Sequence, residues 1–217
     1  MKNRPYKLVI FDWDGTLMDS ERKIINCFQK AARDLDIPQP EDASIRDIIG
    51  LGMAEAVAAV FGDQPASQQQ ALIEQYRHHF LGADQTRMPL FPDVRELLQE
   101  LAESGYLLAI ATGKARRGLS MVLEETGLAD LFVASRCADE AFSKPHPQML
   151  LDILAETGLE PADAVMVGDT VYDLQMAQNA GMDSLAVSYG VHDHKRLLQH
   201  EPLHCFDDFT QVAQWLM

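Results

Sequence analysis

Cysteine is scarce in this chain, with only Cys27, Cys137 and Cys205 among 217 residues. An odd number without metal-ligand spacing excludes a disulfide framework and a thiolate zinc site, and leaves three core or surface thiols. Positive charge is short as well. Eighteen Lys and Arg stand against 33 Asp and Glu, a net charge of −15, which repels nucleic acid and the anionic face of a membrane. Any anionic ligand must therefore be met by local cations. No apolar run reaches the length that spans a bilayer, and the opening M-K-N-R-P-Y leads into a strand pattern without signal-peptide character. A cytoplasmic protein is the expectation, with no nucleic-acid or membrane partner. Internal repeats and low-complexity tracts are also missing.

What is present is a hydrophobic content of 47%, ordinary for a packed domain, in a chain long enough for one domain carrying an insertion. Ile24, Phe28, Ala31 and Leu35 recur at helical spacing, predicting an amphipathic helix from about Ser20 to Asp36 that Pro38 and Pro40 close. Helices follow at Ile45 to Ile49, Met53 to Phe61 and Ser67 to Leu81, with no strand between them. At M-P-L-F-P-D the character changes. Asp93 and Glu96 have the spacing of a capping box and predict a helix running to Ser104, ended by Gly105. Thereafter Y-L-L-A-I-A-T, L-F-V-A-S, A-V-M-V-G-D and S-L-A-V-S alternate with helical patterns, the signature of parallel βαβ units. Their continuous apolar character implies helices on both faces. The tail from Cys205 predicts a last short strand and a docking helix. The expected fold is therefore α/β, a doubly wound, mostly parallel sheet formed by residues 1–16 and 91–217, with an all-helical insertion at 17–90 after the first strand.

Chemistry collects at strand ends, where open α/β sheets place their functional groups. K-L-V-I-F ends in Asp12 and Asp14; Y-L-L-A-I-A ends in Thr112, Gly113 and Lys114; A-V-M-V-G ends in Asp169, followed by Thr170 and Asp173. Lys144 lies in the Pro-flanked loop S-K-P-H-P. Each has an ordinary explanation. Asp14-Gly15 suits a tight turn, Thr112 suits the cap of a helix beginning at Lys114, Thr170 and Asp173 form a capping box, and Lys144 suits a solvated loop. Jointly they suggest more, because hard oxygen ligands without His or Cys favour Mg²⁺. Asp12 and Asp169 could share such an ion. A carboxylate can also attack phosphorus, while Lys144, the Thr112 hydroxyl and the amides that follow it meet phosphoryl oxygens.

D-W-D-G-T, A-T-G-K, S-K-P and G-D-T-V-Y-D resemble, in order and spacing, the four motifs of the haloacid dehalogenase superfamily of phosphohydrolases, and the helical insertion is similar to that superfamily's cap domain. The nearest group is that of phosphoglycolate phosphatase. The resemblance implies Asp12 as nucleophile and Asp14 as general acid and base, with its backbone carbonyl on Mg²⁺. It further implies Asp169 as metal ligand, Asp173 on the metal or its waters, and Thr112, Gly113 and Lys144 around the phosphoryl group. The implied substrate is a small phosphorylated metabolite, and monomer is the expected state.

Alternatives within and beyond that superfamily are weighed by what the chain lacks. Dehalogenases dispense with the second aspartate of the first motif, which is here Asp14. No lysine occurs between Lys30 and Lys114 for a cap Schiff base. A sugar phosphomutase carries a cap arginine after a glycine like Gly50, where this chain has Leu51, Gly52, Met53 and Ala54. A signalling receiver domain, the rival that accepts phosphate without hydrolysing esters, lacks a helical insertion after the first strand. G-L-G-M-A-E-A lacks the third glycine of a dinucleotide loop and is assigned to the insertion, facing the site. His78, His79, His192 and His194 are expected at the surface or at helix ends, and Trp13 is expected to pack. Arg46, Arg77 and Arg87 are the insertion's cations available to a second acidic group.

Overall fold

The computed structural model describes residues 6–62 and 64–217. Its centre is strand β1, Leu8–Phe11, four apolar residues that are all buried. β1 pairs in parallel with β2, Leu107–Thr112, on one side and with β4, Ala164–Gly168, on the other. With β3 (Phe132–Cys137), β5 (Asp183–Val187) and β6 (His204–Phe206), the six-stranded parallel sheet has the order β3-β2-β1-β4-β5-β6. Successive side chains of a strand face opposite ways. Val9, Phe11, Val165 and Val167 accordingly enter one apolar cluster, and Leu8, Ile10, Ala164 and Met166 the other. Two apolar faces on every central strand are what parallel sheets require. The chain turns outward from β1 in both directions, so the crevice of this fold opens at the carboxyl ends of β1 and its two neighbours.

Between β1 and β2 the chain forms helices α1 (Glu21–Asp34), α2 (Asp42–Arg46), α3 (Met53–Phe61) and α4 (Ala66–His78), the last continuing into a wider turn at His79–Ala83. These helices bury a cluster of their own that includes Ile25, Phe28, Ile45, Val57, Leu72 and Tyr76, with the rings of Phe28 and Tyr76 4.8 Å apart. Leu17 and Met18 belong instead to the cluster under the sheet. Trp13 packs as expected, fully buried, its indole Nε1 3.3 Å from Met18 Sδ. Helices α5 (Val94–Glu103), α6 (Arg116–Thr126), α7 (Gln148–Thr157), α8 (Val171–Asn179), α9 (His194–Leu198) and α10 (Phe209–Leu216) follow.

Several expectations need correction. Helix α2 runs from Asp42 to Arg46 rather than Ile45 to Ile49, and Ile48 and Ile49 are buried in the turn beyond it. Asp93 does not cap α5: its φ of 60° is left-handed and its side chain accepts no cap bond, whereas side-chain capping needs an extended residue there. Nor does Thr112 cap a helix at Lys114, because α6 opens only at Arg116. The Thr170–Asp173 capping box is present. His79 is buried against Asp34 and His192 is buried beside α8, while His78 and His194 are exposed.

Asp84, just after the wide turn, ties α1 to the end of the insertion. Its carboxylate is buried and takes Lys30 Nζ at 2.5 Å and the Thr86 amide at 2.8 Å, while Lys23 Nζ lies 3.2 Å from its carbonyl. Burial alone would raise this carboxyl, but the Lys30 ammonium and Thr86 hold it down at about 2. A depressed folded-state value stabilises the fold above the unfolded carboxylate range and is lost as pH falls. Asp84→Asn should therefore cost about 2 kcal/mol at pH 7, the scale of charged hydrogen bonds. In thermal denaturation the gap from wild type should close between about pH 4 and about pH 2.

Candidate active site

β1 delivers Asp12 as its first residue past the last strand position, and the chain then turns tightly. Trp13 O accepts the Leu17 and Met18 amides, and Gly15 adopts φ 83°. A side chain at Gly15 would also collide with Asp169, since a Cβ there would lie 2.1 Å from its Oδ2. The Asp-Gly turn and the carboxylate pair are thus one device, which brings the turn's backbone against the end of β4.

Lys144 is the positive partner that Asp12 needs. Its Nζ is 2.7 Å from Asp12 Oδ1 and 2.6 Å from Asp173 Oδ1, with all three side chains buried. The sequence set Lys144 beside the phosphoryl group; the structure shows its ammonium between two carboxylates, a pairing that sequence did not give. Lys144 meets Asp12 at Oδ1, and Asp12 Oδ2 has no hydrogen-bond partner. Burial pushes the Asp12 carboxyl up, to about 7, against the pull of Lys144. Burial also opposes charge on Lys144, but Asp12 and Asp173 more than offset it and keep the ammonium protonated. Asp169 accepts from the Thr16 hydroxyl at 2.9 Å and from the Val191 amide at 2.8 Å. Burial and the charges of Asp12 and Asp173 nonetheless raise it well above the usual carboxylate range.

Asp14 points to a different set of partners. Lys114 Nζ lies 2.8 Å from its Oδ1, and the Ser20 hydroxyl donates to the same oxygen. Lys114 also sits over the Phe80 ring, 4.4 Å from its centre. This lysine was legible only as the third residue of Thr112-Gly113-Lys114, and its pairing with Asp14 was not. Thr112 is fully buried, its hydroxyl accepting the Lys114 amide at 3.2 Å. Asp173 spends Oδ2 on the Thr170 amide and hydroxyl, at 3.1 and 2.7 Å. His192 accepts the Val171 amide on Nδ1 at 3.0 Å, and burial together with Arg196 lowers its pKa, leaving it neutral.

Oxygens of Asp12, Asp169 and Asp173 lie within 4.8 Å of one another. Four buried carboxylates, counting Asp14, face two lysines, Lys144 and Lys114, so all four ionise together only with further positive charge. Buried charge at that density is costly without a counter-ion. Together with Asp12 Oδ2, which has no protein partner, the all-oxygen donor set fits one hard divalent cation such as Mg²⁺.

Asp12, Asp14, Gly113 and Lys114 open onto a cavity of about 640 Å³ beneath the helical insertion, whose near wall includes Gly50, Gly52 and Met53. The G-L-G-M segment therefore faces the site as expected. Arg77 reaches this cavity, Arg87 lines a separate one, and Arg46 is paired with Glu21 at 2.7 Å.

Residues 9–187 match the family described as Haloacid dehalogenase-like hydrolase. The chain is 38% identical over 211 residues to a probable phosphatase, IndB, of Dickeya dadantii (strain 3937), covering 95% of this chain and 91% of that protein. It is 32% identical over 217 residues to a phosphoglycolate phosphatase of Vibrio cholerae serotype O1 (strain ATCC 39315 / El Tor Inaba N16961), covering 96% of each. The crystal structure of a predicted phosphoglycolate phosphatase from Haemophilus somnus 129pt superposes with a TM-score of 0.87 at 26% identity, over 98% of this chain and 99% of that one. The chain belongs to the haloacid dehalogenase-like hydrolases and is an enzyme of their phosphatase kind. No helix among the described residues is long and apolar enough to cross a membrane.

Gly113 marks where insertion and sheet meet. A Cβ there would lie 2.5 Å from Gly50 O and 2.6 Å from Leu51 O, both backbone atoms. Gly113→Ala should leave the melting temperature close to wild type, because the insertion can back away. Steady-state kinetics should show kcat/KM for small phosphoesters down about 10-fold or more, as misplacement at a catalytic edge costs.

Proposed function

We propose that this enzyme is a Mg²⁺-dependent phosphatase of small phosphorylated metabolites, working through an aspartyl phosphate on Asp12. The observation that carries this reading is the division of labour between two carboxylates on one short turn. Asp12 keeps an oxygen free of protein partners beside Lys144, while Asp14 is held by Lys114 and Ser20 at the cavity floor.

In the first step an Asp12 oxygen attacks phosphorus, the bond from phosphorus to the ester oxygen breaks, and Asp14 gives its proton to the departing alkoxide. In the second, Asp14 takes a proton from water, the water oxygen attacks phosphorus, and the bond to Asp12 breaks to release inorganic phosphate. Lys144, the Thr112 hydroxyl and the Gly113 amide bind phosphoryl oxygens as charge shifts between attacking and leaving groups. Asp12, Asp169, the Asp14 carbonyl and Asp173, directly or through water, would hold the Mg²⁺, which would supply charge neutralisation at the phosphoryl group.

The helices at residues 17–90 act as a cap that closes over the substrate and keeps bulk water out. Supporting this are contacts across the joint. The Gly52 amide donates to Ser143 Oγ at 2.7 Å and the Tyr172 hydroxyl to Asp47 O at 2.8 Å. The enzyme acts as a monomer, without nucleic acid or membrane.

Two variants test the assignment. Asp12→Asn should retain its fold by circular dichroism and lose turnover altogether; appreciable phosphate release from it would overturn the nucleophile. Asp14→Asn should lose alkyl-phosphate turnover by about 10² or more, the span of general acid–base catalysis. With para-nitrophenyl phosphate, whose leaving group needs no acid, rapid mixing should show a nitrophenol burst near one equivalent per site, then slow release. Equal proportional loss on both substrates without a burst would leave Asp14 a purely structural role at the turn.

A further inference from the structure

The cavity under the insertion is far larger than the chemistry on its floor requires. About 640 Å³ falls in the range of sites that enclose a whole drug-sized ligand. Above Asp12 and Asp14 much of the wall is apolar, from Met53 of α3, Ile73, Tyr76 and Phe80 of α4 and its following turn, and Phe142 from the loop that carries Lys144, with Arg77 and Arg117 also on it. A two-carbon acid phosphate asks for the opposite, a small polar site with a cation set aside for its carboxylate. Lys114 is not set aside, because it is bound to Asp14 and covers the Phe80 ring, and the cavity's other cations, Arg77 and Arg117, are exposed side chains. Such a substrate would leave most of the space as water against apolar walls.

Phe142 gives an independent indication. At 67% it is the most exposed of the large hydrophobic side chains among the described residues, and its ring contact is with His146, 4.6 Å away. It stands two residues before Lys144, on the loop that carries the site's buried lysine. An exposed aromatic ring on the wall of a cavity gains free energy when an apolar group covers it.

We infer that the substrate of this phosphatase is the phosphomonoester of a bulky, ring-bearing alcohol, the ring lying between Phe142 and the Met53–Ile73 wall, and that a two-carbon ester such as phosphoglycolate is a poor substrate. The inference rests on the phosphatase reading and adds the leaving group.

The test compares 2-phenylethyl phosphate with ethyl phosphate and phosphoglycolate, since the first two share a primary alcohol and differ by the ring. With Mg²⁺ present, kcat/KM for the phenylethyl ester should exceed the other two by about 10-fold or more, the discrimination apolar pockets achieve. Calorimetry without turnover should show 3-phenylpropylphosphonate binding tighter than propylphosphonate by a similar factor. In Phe142→Ala and Ile73→Gln, the phenylethyl-to-ethyl ratio should fall by about fivefold or more. Ethyl phosphate or phosphoglycolate matching the phenylethyl ester, or a ratio unmoved by both variants, would overturn the inference. If no ester is hydrolysed but the phosphonates show the expected preference, the size selection stands and hydrolysis on Asp12 is what fails.

Discussion

A single buried ammonium fixes the geometry on which the rest of this site depends. Lys144, 2% exposed, stands between the carboxylate that ends β1 and the carboxylate that opens α8, at 2.7 and 2.6 Å. It thereby joins the central strand, the helix after β4 and the loop after β3. Desolvating three charges is expensive, and well-packed apolar groups often stabilise as well or better. The arrangement makes physical sense when the carboxylates are wanted for chemistry and the lysine keeps them from repelling one another. One lysine does not neutralise them when both are ionised, and the all-oxygen cluster they form with Asp169 suits a hard cation.

The fold makes this density of charge possible by bringing backbone close to it. Gly15 and Gly190 both approach Asp169, where a Cβ would lie 2.1 and 2.4 Å from its Oδ2. The loop after β5 adds the Val191 amide to Asp169, and Tyr189 donates its hydroxyl to the Thr16 carbonyl at 2.7 Å. Backbone amides and hydroxyls thus replace water around carboxylates that cannot be reached by solvent. Parallel pairing on both sides of β1 aligns these loops at one edge, so residues far apart in the chain converge without long excursions.

Much of this was legible beforehand because it depends on local periodicity. Five of the strands read as apolar runs, and the insertion read as helices because Ile24, Phe28 and Ala31 repeat at a helical interval that buries them in one cluster. Asp12, Asp14, Asp169 and Asp173 were legible from where the strands stop. What sequence could not supply was partner choice. Lys144 looked like a solvated cation or a phosphoryl ligand, and its two carboxylates come from positions over a hundred residues away and twenty-nine residues away. His79 and His192 lie in helical and loop stretches that read as surface, yet Asp34 and the Val171 amide draw them inward. Asp93 had the letters of a cap, but Gly-like backbone geometry overrode them. Each miss concerns a tertiary partner or a backbone angle, which residue spacing does not encode.

The joint between insertion and sheet has a different energetic character from either side of it. Each side has an apolar cluster of its own, whose burial contributes about 25 cal/mol for every Å² removed from water. Across the joint the contacts are mixed: Met121 and Val191 pack against the insertion's apolar cluster, Lys114 lies over the Phe80 ring, Ser143 meets Gly52, Tyr172 meets Asp47, and an ion pair between Arg196 and Asp47 is open to solvent. Exposed pairs of that kind contribute about 1 kcal/mol or less. Separating the two sides gives up these contacts, whereas unfolding the insertion would expose its whole core. The chain leaves the sheet side past Leu17 and Met18 and returns to it at Leu90, all three packed in the apolar cluster under the sheet. Met18 is bridged to both Asp14 and Leu90, which anchors those connections on the sheet side within a few residues of Asp12, while Lys144 and the glycine contacts hold the carboxylates in place.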